Sequence, residues 1–462
     1  MSRESRTEAG EAPAGRSADE KRIDLTVLII LLLFFFGLFA AFGTPVYNDS
    51  DQYIRMHVHR EPVYPTFLWA LRSVMPEHYL TAASVLQSCL CVISSFAYVR
   101  YARRTFGLGL TGALTVCGFV IAPYVITPVF SQLHVHMSVA IMSESIALPV
   151  FNLFVIRTHR AAMDRTPGSL AMSFLLALLL SLIRSQMIFT FILWLIVSAY
   201  ACVTVKKTGW LVLSACVCLA GFLLRDVGTR AYNYAFNGRY VDSVYSHVNL
   251  LTNVLYVTDP DDVESIGDEE LRTIAGLLYA RASDAGYLYF NAEPGLTGRV
   301  EYLEEVHDRI KYDCIEYGLR DYVEETLDEH DYIEYNRIGD GYAGELIRLL
   351  LPAVFGKWFP DVLLLGLRGL VRNMAVCAFP AYLYVGAVMA FMLARNVPAF
   401  KRDPRDPVAL FAFVALLAVF GNSFCTAMVI MCLSRYMIYG FAGFYAALYL
   451  TVLDFVNYGE AF

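Results

Sequence analysis

Apolar runs about as long as a membrane is thick recur along this chain, and they constrain its fold more than any other feature. The first extends from Leu25 to Phe42. A helix of about 20 apolar residues spans the hydrocarbon core of a bilayer. Hydrophobic residues make up 57% of the sequence and charged residues 17%, whereas charged residues make up about 25% of an ordinary soluble domain. The sequence therefore predicts an all-α polytopic membrane protein and excludes a soluble globular enzyme.

Clusters of Lys and Arg separate the apolar runs and indicate how the chain crosses the membrane. Such clusters are retained on the cytoplasmic side, so an even number of spans must lie between neighbouring clusters. This parity divides the long apolar stretches 108–156 and 170–203 into two spans each, and the second stretch turns at Arg184. The chain is then predicted to lie in the plasma membrane, with both termini on the cytoplasmic side. The ten predicted spans are approximately 25–42, 80–98, 109–127, 138–156, 169–183, 187–204, 209–225, 375–394, 408–432 and 437–456.

Charge is distributed unevenly along the sequence. Between Asp242 and Glu345 lie 25 of the 43 acidic residues but only 7 of the 36 Lys and Arg, so this stretch has a net charge of −18 and the rest of the chain +11. Neither part has a basic stripe suited to nucleic acid, which excludes that class of partner. The predicted parts are a disordered cytoplasmic tail (1–24), a membrane core (25–228), an acidic and mostly helical extracytoplasmic segment (229–374) and the C-terminal spans (375–462).

Within the acidic segment, two apolar stretches interspersed with basic residues are predicted to lie along the membrane surface. They are 341–355 and 361–372. Basic side chains in such stretches meet lipid headgroups while the apolar side chains enter the bilayer. The segment is therefore expected to stay outside the membrane, with these two stretches resting on it.

The loop after the first span carries the most informative motif. It begins with Asp49-Ser50-Asp51-Gln52-Tyr53 and continues with Arg60-Glu61-Pro62-Val63-Tyr64-Pro65-Thr66-Phe67-Leu68. A carboxylate close to the outer face of the membrane can act as a general base towards a hydroxyl that arrives from outside. Asp49 and Asp51 are both candidates for this base, and the alternative for each is a solvated or helix-capping carboxylate.

Three further charged residues occur beside or within apolar runs. Glu144 lies in the run from Met137 to Ile156, and an ionisable group in a span is costly and usually functional or paired. Arg184 lies in a turn between spans, and Arg435 precedes the last span. A guanidinium can hold a phosphate through two hydrogen bonds, and the alternative for both arginines is an ion pair or a side chain that reaches the membrane surface.

Two His-x-His pairs fall in predicted outer loops. They are His57 with His59, and His134 with His136. Together with the carboxylates they are candidate ligands for a divalent metal such as Mg, Mn or Zn, because imidazole and carboxylate suit these ions. The alternative is four interfacial or hydrogen-bonding histidines.

These motifs, in this order, resemble the GT-C superfamily of polyprenyl-phosphate-dependent glycosyltransferases. The closest kinds are the family-39-like bacterial proteins, which are related to protein O-mannosyltransferases and aminoarabinose transferases. The resemblance rests on the two loop motifs above, on Met142-Ser143-Glu144-Ser145 and on Ser434-Arg435-Tyr436. It covers most of residues 20–225 and 375–456 and leaves the acidic segment unmatched.

The resemblance implies a sugar donor on a polyprenyl phosphate in the outer leaflet, an extracytoplasmic acceptor (glycan, lipid or protein), and transfer with inversion. It also implies roles for individual residues. The implied catalytic residues are Asp49, Asp51 and Glu144, the donor-phosphate residues are Arg435, Tyr436 and Arg184, and the acceptor loop contains Tyr53, Arg60 and Tyr64.

Two other functional classes remain open at this point. The first is a transporter or flippase of a lipid-linked or polar solute, which would carry ionisable groups along a pathway. The second is an envelope-glycan polymerase or ligase, which would need an Arg/His pair in the large outer segment. His307 or His330 with Arg309 or Arg337 would supply that pair.

Overall fold

The computed structural model describes residues 18–130, 134–244, 246–374 and 381–459, and within these ranges the chain is helical without a strand. The long helices form a bundle, and the shorter helices of the acidic segment cover one end of it. The helices are α1 (Ala18–Phe42), α2 (Ser50–Ile54), α3 (Val63–Val74), α4 (Tyr79–Phe106), α5 (Leu110–Phe130), α6 (Glu144–Asp164), α7 (Pro167–Ile183), α8 (Phe189–Thr204), α9 (Gly209–Asn237), α10 (Ser246–Tyr256), α11 (Pro260–Glu264), α12 (Glu269–Asp284), α13 (Leu296–Arg309), α14 (Tyr317–Leu327), α15 (Tyr332–Met374), α16 (Ala381–Arg402), α17 (Pro407–Val429), α18 (Ser434–Met437) and α19 (Phe441–Gly459).

Nine helices in the described part of the chain are long and apolar enough to cross a membrane. This number confirms the prediction of an all-α polytopic membrane protein. The nine are Ala18–Phe42, Tyr79–Phe106, Leu110–Val129, Ser185–Thr204, Gly209–Asn237, Tyr332–Met374, Ala381–Arg402, Pro407–Val429 and Ser434–Asn457.

Each of the ten predicted spans coincides with a helix, although residues 375–380, where the eighth span was expected to begin, lie outside the described residues. Helices α6 and α7 are predicted spans that are not among the nine. Helix α7 has only 17 residues, and α6 carries several polar and charged side chains. Most of α6 is buried, including Glu144, Asn152 and His159, so its polar side chains face protein.

The predicted disordered tail is partly wrong, because α1 begins at Ala18. Residues 1–17 lie outside the described residues. Asp24, which the prediction placed in the tail, is buried and forms ion pairs with Arg103 at 3.0 Å and Arg100 at 3.5 Å on α4. A buried carboxylate needs such partners. The two ion pairs therefore hold the first turns of α1 against α4.

Helix α15 corrects the picture of two separate surface stretches, because it runs unbroken through both of them. Its 43 residues include Pro352 and Pro360. Its first half packs against α10 and α14, and its second half packs against α17, where Gly366 lies against the ring of Phe424. One helix therefore joins the acidic segment to the bundle. Arg372 strengthens this junction by donating to Glu304 of α13 at 2.9 Å and to the carbonyl of Cys432 at 2.8 Å.

The loop before α6 is packed into the bundle and fixes where that helix begins. Ser84 and Gln87 of α4 donate to the carbonyls of Val139 and Ala140 at 2.7 and 2.9 Å. The amide of Ile141 donates to the carbonyl of Pro45 at 3.0 Å, which ties this loop to the loop after α1. Buried backbone groups require such partners. The result places the first turn of α6 directly beside residues 43–62.

Candidate active site

Five charged side chains meet at the end of the bundle where α1 ends and α6 begins. We call them the charged cluster. They come from the loops before and after α2, the first turn of α6, the turn between α7 and α8, and α18. They are Asp49, Arg60, Glu144, Arg184 and Arg435. All five were candidates from the sequence, although they are separated by up to 386 positions along the chain.

Asp49 is held by two arginines, one on each carboxylate oxygen. Arg60 Nη2 lies 3.0 Å from Oδ1, and Arg435 Nη1 lies 3.2 Å from Oδ2. Burial raises the pKa of the Asp49 carboxyl, but the positive charges of Arg60, Arg435 and Arg184 outweigh it and hold the pKa below its usual range. Asp49 is therefore an ionised carboxylate at neutral pH, and its side chain keeps 31% of its surface exposed.

Glu144 is the most deeply buried member of the charged cluster, with 1% of its surface exposed. Arg184 Nη1 lies 2.8 Å from its Oε1. Ser143 supports the pair, since its hydroxyl lies 3.3 Å from Glu144 Oε2 and accepts from Arg184 Nη1 at 3.2 Å. Removing one partner of such a buried pair leaves an uncompensated charge, which is strongly destabilising. Each residue therefore holds the other in place.

Tyr436 holds two guanidinium groups close together. The Cζ atoms of Arg184 and Arg435 lie 4.7 and 4.8 Å from its ring centroid, and Arg435 Nη2 donates to its hydroxyl at 2.8 Å. The face of an aromatic ring attracts cations and so offsets part of their mutual repulsion. Gln186 fixes this arrangement, because it accepts from Arg184 at 3.0 Å and donates to the carbonyl of Tyr436 at 2.7 Å. Two guanidinium groups, each with a fork of N–H donors, are thus held beside the same ring.

Arg60 connects the charged cluster to Tyr53. It donates to the Tyr53 hydroxyl at 3.2 Å and to Gln52 Oε1 at 2.9 Å, and its Cζ lies 4.6 Å from the Tyr53 ring centroid. The Tyr53 hydroxyl is also hydrogen-bonded to Ser143 Oγ at 2.9 Å, so it bridges the two ion pairs. With three arginines and two carboxylates, the cluster has a net charge of +1.

Two of the predicted catalytic and acceptor-loop residues lie apart from the charged cluster. Asp51 is exposed and pairs with Arg55 at 2.8 Å, because the short helix α2 turns it away from Asp49. Tyr64 is fully buried, donates to Gln87 Oε1 at 2.9 Å and packs edge-on against Tyr53. Tyr64 therefore supports Tyr53 from behind, and of the two aspartates only Asp49 reaches the cluster.

The first histidine pair lies between the loop after α2 and the start of α15. The rings of His57 and His59 are 4.7 Å apart, and His59 Nε2 is hydrogen-bonded to the Tyr332 hydroxyl at 2.7 Å. Burial, followed by the electrostatic effects of His57, Arg60 and Lys311, lowers the pKa of His59 to about 3, so its ring is neutral. These contacts anchor the loop to the acidic segment.

The second histidine pair has local contacts of a different kind. His134 Nδ1 is hydrogen-bonded to the carbonyl of Pro128 at 2.7 Å, and His136 stacks on Phe42 at 3.7 Å. Across the described ranges, the structure brings no three His, Cys, Asp or Glu side chains into an arrangement that could hold a metal ion. Among the described residues, the predicted metal ligands thus do not form a common donor set.

Sequence reasoning missed several residues that complete the site. Gln186 interrupts an apolar run two positions after Arg184, and this interruption was the available signal. Lys311 and Tyr312 of the acidic segment interact electrostatically with Asp49 and Arg60, and nothing in their local sequence indicated it.

An ion pair outside the charged cluster connects its loop to α9. Arg225 of α9 pairs with the buried Glu61, which lies just before α3, while Asp226 pairs with Arg230 at 2.8 Å. The Glu61 pair fastens the loop of the charged cluster to α9.

Comparisons with family models, curated proteins and solved structures found no match to this chain.

Proposed function

We propose that this chain is a membrane glycosyltransferase that moves a sugar from a polyprenyl phosphate to a hydroxyl on an extracytoplasmic glycan, lipid or protein. The observation that carries the proposal is the ion pair between Asp49, a carboxylate with partial exposure, and Arg435, which lies over the ring of Tyr436 as Arg184 does. A carboxylate beside a prearranged anion site is what glycosyl transfer from a phosphate requires. The resemblance of the motifs to the GT-C superfamily supports the same assignment.

In the proposed reaction, Asp49 accepts the proton of the acceptor hydroxyl, and the resulting oxygen attacks the anomeric carbon of the sugar. The bond between that carbon and the phosphate oxygen breaks, and its electron pair remains on the phosphate. Attack opposite the leaving group inverts the anomeric carbon. Arg435 and Arg184 stabilise the charge that develops on the leaving phosphate, which is the usual role of guanidinium groups aimed at such a group.

Charge balance favours this assignment. The net charge of +1 on the cluster matches a donor phosphodiester, which carries one negative charge. Transfer leaves the phosphate as a monoester with a charge of about −1.5 to −2 at pH 7, while protonation of Asp49 raises the charge of the cluster to +2. The charges of site and ligand therefore stay matched before and after transfer.

The remaining residues of the cluster position those that react. Glu144 and Ser143 hold Arg184, while Arg60 holds Asp49 and is itself hydrogen-bonded to Tyr53. The members of the cluster occupy the ends of helices and the loops between them rather than a row along the bundle, which favours a site at one membrane face over a transport pathway.

The polymerase or ligase alternative gains no support from the acidic segment. His330 is exposed beside Asp328, and Arg337 pairs with Glu334 on the surface. His307 is buried beside Asp308. These side chains have local partners and do not form an exposed Arg/His site.

The decisive experiment combines a cellular and a purified assay. A strain that lacks this protein should accumulate polyprenyl-phosphate-linked sugar, and expression of the wild-type protein should remove it, whereas Asp49→Asn should not. The purified protein in nanodiscs should bind polyprenyl phosphate, and Arg435→Ala should weaken that binding. An unchanged lipid-linked sugar pool together with no binding of polyprenyl phosphate would contradict the proposal.

A further inference from the structure

An apolar groove lies between α8 and α17, two helices that are long and apolar enough to cross a membrane. It has a volume of about 120 Å³, and every described residue that lines it is apolar or small. Ile192 and Ile196 of α8 and Phe420 of α17 line the groove and are exposed. The groove therefore opens onto the surface of the bundle that faces the bilayer.

A glycine of α17 gives the groove its shape. The ring of Phe189 lies so close to Gly421 that a Cβ atom on this residue would come within 2.8 Å of Phe189 Cδ2. That separation is shorter than van der Waals contact allows, so the ring reaches this depth only against glycine. Phe189 is buried and forms the floor of the groove, while Ile192 and Ile196 stand on its open side.

One end of the groove lies beside Gln186. Phe189 follows Gln186 by three residues, which is about one helical turn. Gln186 Nε2 reaches across to α17 and donates to Asn422 Oδ1 at 2.8 Å and to Thr426 Oγ1 at 3.1 Å. Cys425, which lines the groove, lies in the same turn of α17 as these two acceptors. The polar contacts of Gln186 therefore mark the end of the apolar groove.

Gln186 also contacts the part of the charged cluster that is proposed to bind phosphate. Its Oε1 accepts from Arg184 Nε at 3.0 Å, and its Nε2 donates to the Tyr436 carbonyl at 2.7 Å. The guanidinium groups of Arg184 and Arg435 both lie over the Tyr436 ring. One side chain thus separates an apolar groove from two cations. A ligand with an anionic head and an apolar chain fits this succession, because guanidinium forks suit phosphate and apolar surface gains from burial.

We infer that the groove between α8 and α17 binds the first isoprene units of the donor's polyprenyl chain. This inference rests on the proposed function, because that function places the donor phosphate at Arg184 and Arg435. The chain begins at the phosphate and has to enter the bilayer, and the groove beside Gln186 offers it an apolar path. From Phe189 to Ile196 the groove follows α8 for about 10 Å. It therefore holds only the start of the chain, and the remainder lies among the membrane lipids.

The test measures how well short isoprenoid phosphates displace a polyprenyl phosphate that carries a fluorophore at the far end of its chain. The full-length protein is used in detergent micelles. The competitors are dimethylallyl phosphate, a single isoprene unit, and farnesyl phosphate, a longer chain of the same chemistry. Farnesyl phosphate should compete at least about tenfold better with wild type, since burial of two methylene-sized groups already gives about that gain in affinity.

Ile192→Trp fills the groove and should remove most of the advantage of farnesyl phosphate over dimethylallyl phosphate. Ile93→Trp is the matched control, because Ile93 is an exposed isoleucine on another span, α4, and the advantage should persist in this variant. Ile196→Trp obstructs the groove farther from Gln186. It should also reduce the advantage, and it tests the inference even if Ile192→Trp proves unstable in a thermal unfolding assay.

Phosphatidylglycerol, added as a third competitor, distinguishes a polyprenyl groove from one that accepts any membrane lipid. Ile192→Trp should leave its weak competition as it is in wild type, and an equal loss for phosphatidylglycerol and farnesyl phosphate would overturn the inference. An undiminished farnesyl advantage in the folded tryptophan variants would overturn it as well. If wild type still binds polyprenyl phosphate in these cases, the proposed function stands without the groove. If wild type does not bind polyprenyl phosphate, the proposed function fails and the inference fails with it.

Discussion

Arg435 Nη1 lies 3.2 Å from Oδ2 of Asp49, so the last part of the chain supplies a cation to the loop after the first helix. This contact joins the proposed phosphate-binding residue to the proposed base. A donor phosphate that draws Arg435 towards itself removes one of the two arginines paired with Asp49. Loss of a neighbouring positive charge raises a carboxyl pKa, so Asp49 should become a stronger base once the donor is bound.

The first prediction concerns the two aspartates of the loop. Asp49→Asn removes the proposed base and should lower the rate of sugar transfer about 10²- to 10⁴-fold, the range typical of a lost general base. Asp51→Asn is the matched control, because Asp51 is exposed and its carboxylate pairs with Arg55, which is not a member of the charged cluster. The measurement is the rate of sugar transfer by each purified variant, which shows whether Asp49 or Asp51 is the base. Full activity of a folded Asp49→Asn, or equal losses in both variants, would contradict the assignment.

The second prediction concerns Arg435. Arg435→Ala should weaken binding of polyprenyl phosphate about 10- to 100-fold, since a hydrogen bond to a charged group contributes about 1.5–3 kcal/mol. Arg435→Lys should recover only part of the affinity, because a single ammonium cannot replace the forked contact. Binding is measured by microscale thermophoresis, with Arg55→Ala as a control in the exposed ion pair of the same loop. Unchanged affinity in a folded Arg435→Ala protein would mean that the donor phosphate binds elsewhere.

The third prediction concerns the pair of Glu144 and Arg184, whose side chains have 1% and 15% of their surface exposed. Glu144→Gln leaves Arg184 buried without its partner and should lower the free energy of unfolding by about 3–5 kcal/mol. Adding Arg184→Met to that variant removes the uncompensated charge, so the double variant should be more stable than Glu144→Gln alone. Thermal unfolding of the three variants tests this coupling. Additive losses would mean that the two residues act independently.

The fourth prediction concerns pH and the contact between α10 and α15. Asp340 accepts hydrogen bonds from the amides of His247 and Val248 at 2.7 and 3.3 Å, and it lies 2.8 Å from His247 Nδ1. The hydrogen bond to Asp340 raises the pKa of His247, and the negative charges of Asp340 and Asp242 add to it against burial. Because the folded pKa lies above the unfolded value, the stabilisation is fully present below the unfolded pKa, about 6.5, and disappears as pH rises through the folded pKa.

His247→Asn should therefore lower the melting temperature more at pH 5.5 than at pH 9. His330→Asn is the control, because His330 and its partner Asp328 are both exposed. An equal loss at both pH values for His247→Asn would show that the charge of His247 does not stabilise the fold.

The fifth prediction concerns membrane orientation. Thr326 is exposed on α14 of the acidic segment, and Thr208 is exposed between α8 and α9. In a background where the exposed Cys216 is replaced by serine, Thr326→Cys should react with a membrane-impermeant thiol reagent in intact cells. Thr208→Cys should react only after the membrane is opened. The reverse pattern would place the charged cluster on the cytoplasmic side.

The sequence predicted the helices well, because apolar runs of membrane length have few alternatives to helical structure. It was less informative where tertiary ion pairs decide the outcome. Lys357, Arg368 and Arg372 suggested stretches in contact with lipid headgroups, but Asp259 and Glu304 neutralise them within the protein. Helix α15 could not be predicted as one element, because those partners are distant in sequence.

The site could be predicted in composition but not in arrangement. Ionisable residues near or within apolar runs identified Asp49, Glu144, Arg184 and Arg435, and the resemblance of the loop motif added Arg60. The choice between Asp49 and Asp51 depended on the orientation of a helix of only five residues. The electrostatic interaction of Lys311 with Asp49 could not be predicted, because the packing of the acidic segment leaves no periodic pattern in the sequence.

The separation of Asp49 and Arg435 also has a consequence for biogenesis. Synthesis of a membrane protein proceeds from the N-terminus, so the loop after α1 is translocated long before α18 exists. During that interval Asp49 has only Arg60 as an arginine partner, and Arg184 arrives before the ribosome reaches the last helix. The charged cluster is therefore completed only when the final helices insert. A chain released early from the ribosome would carry Asp49 without Arg435 and would lack the assembled cluster.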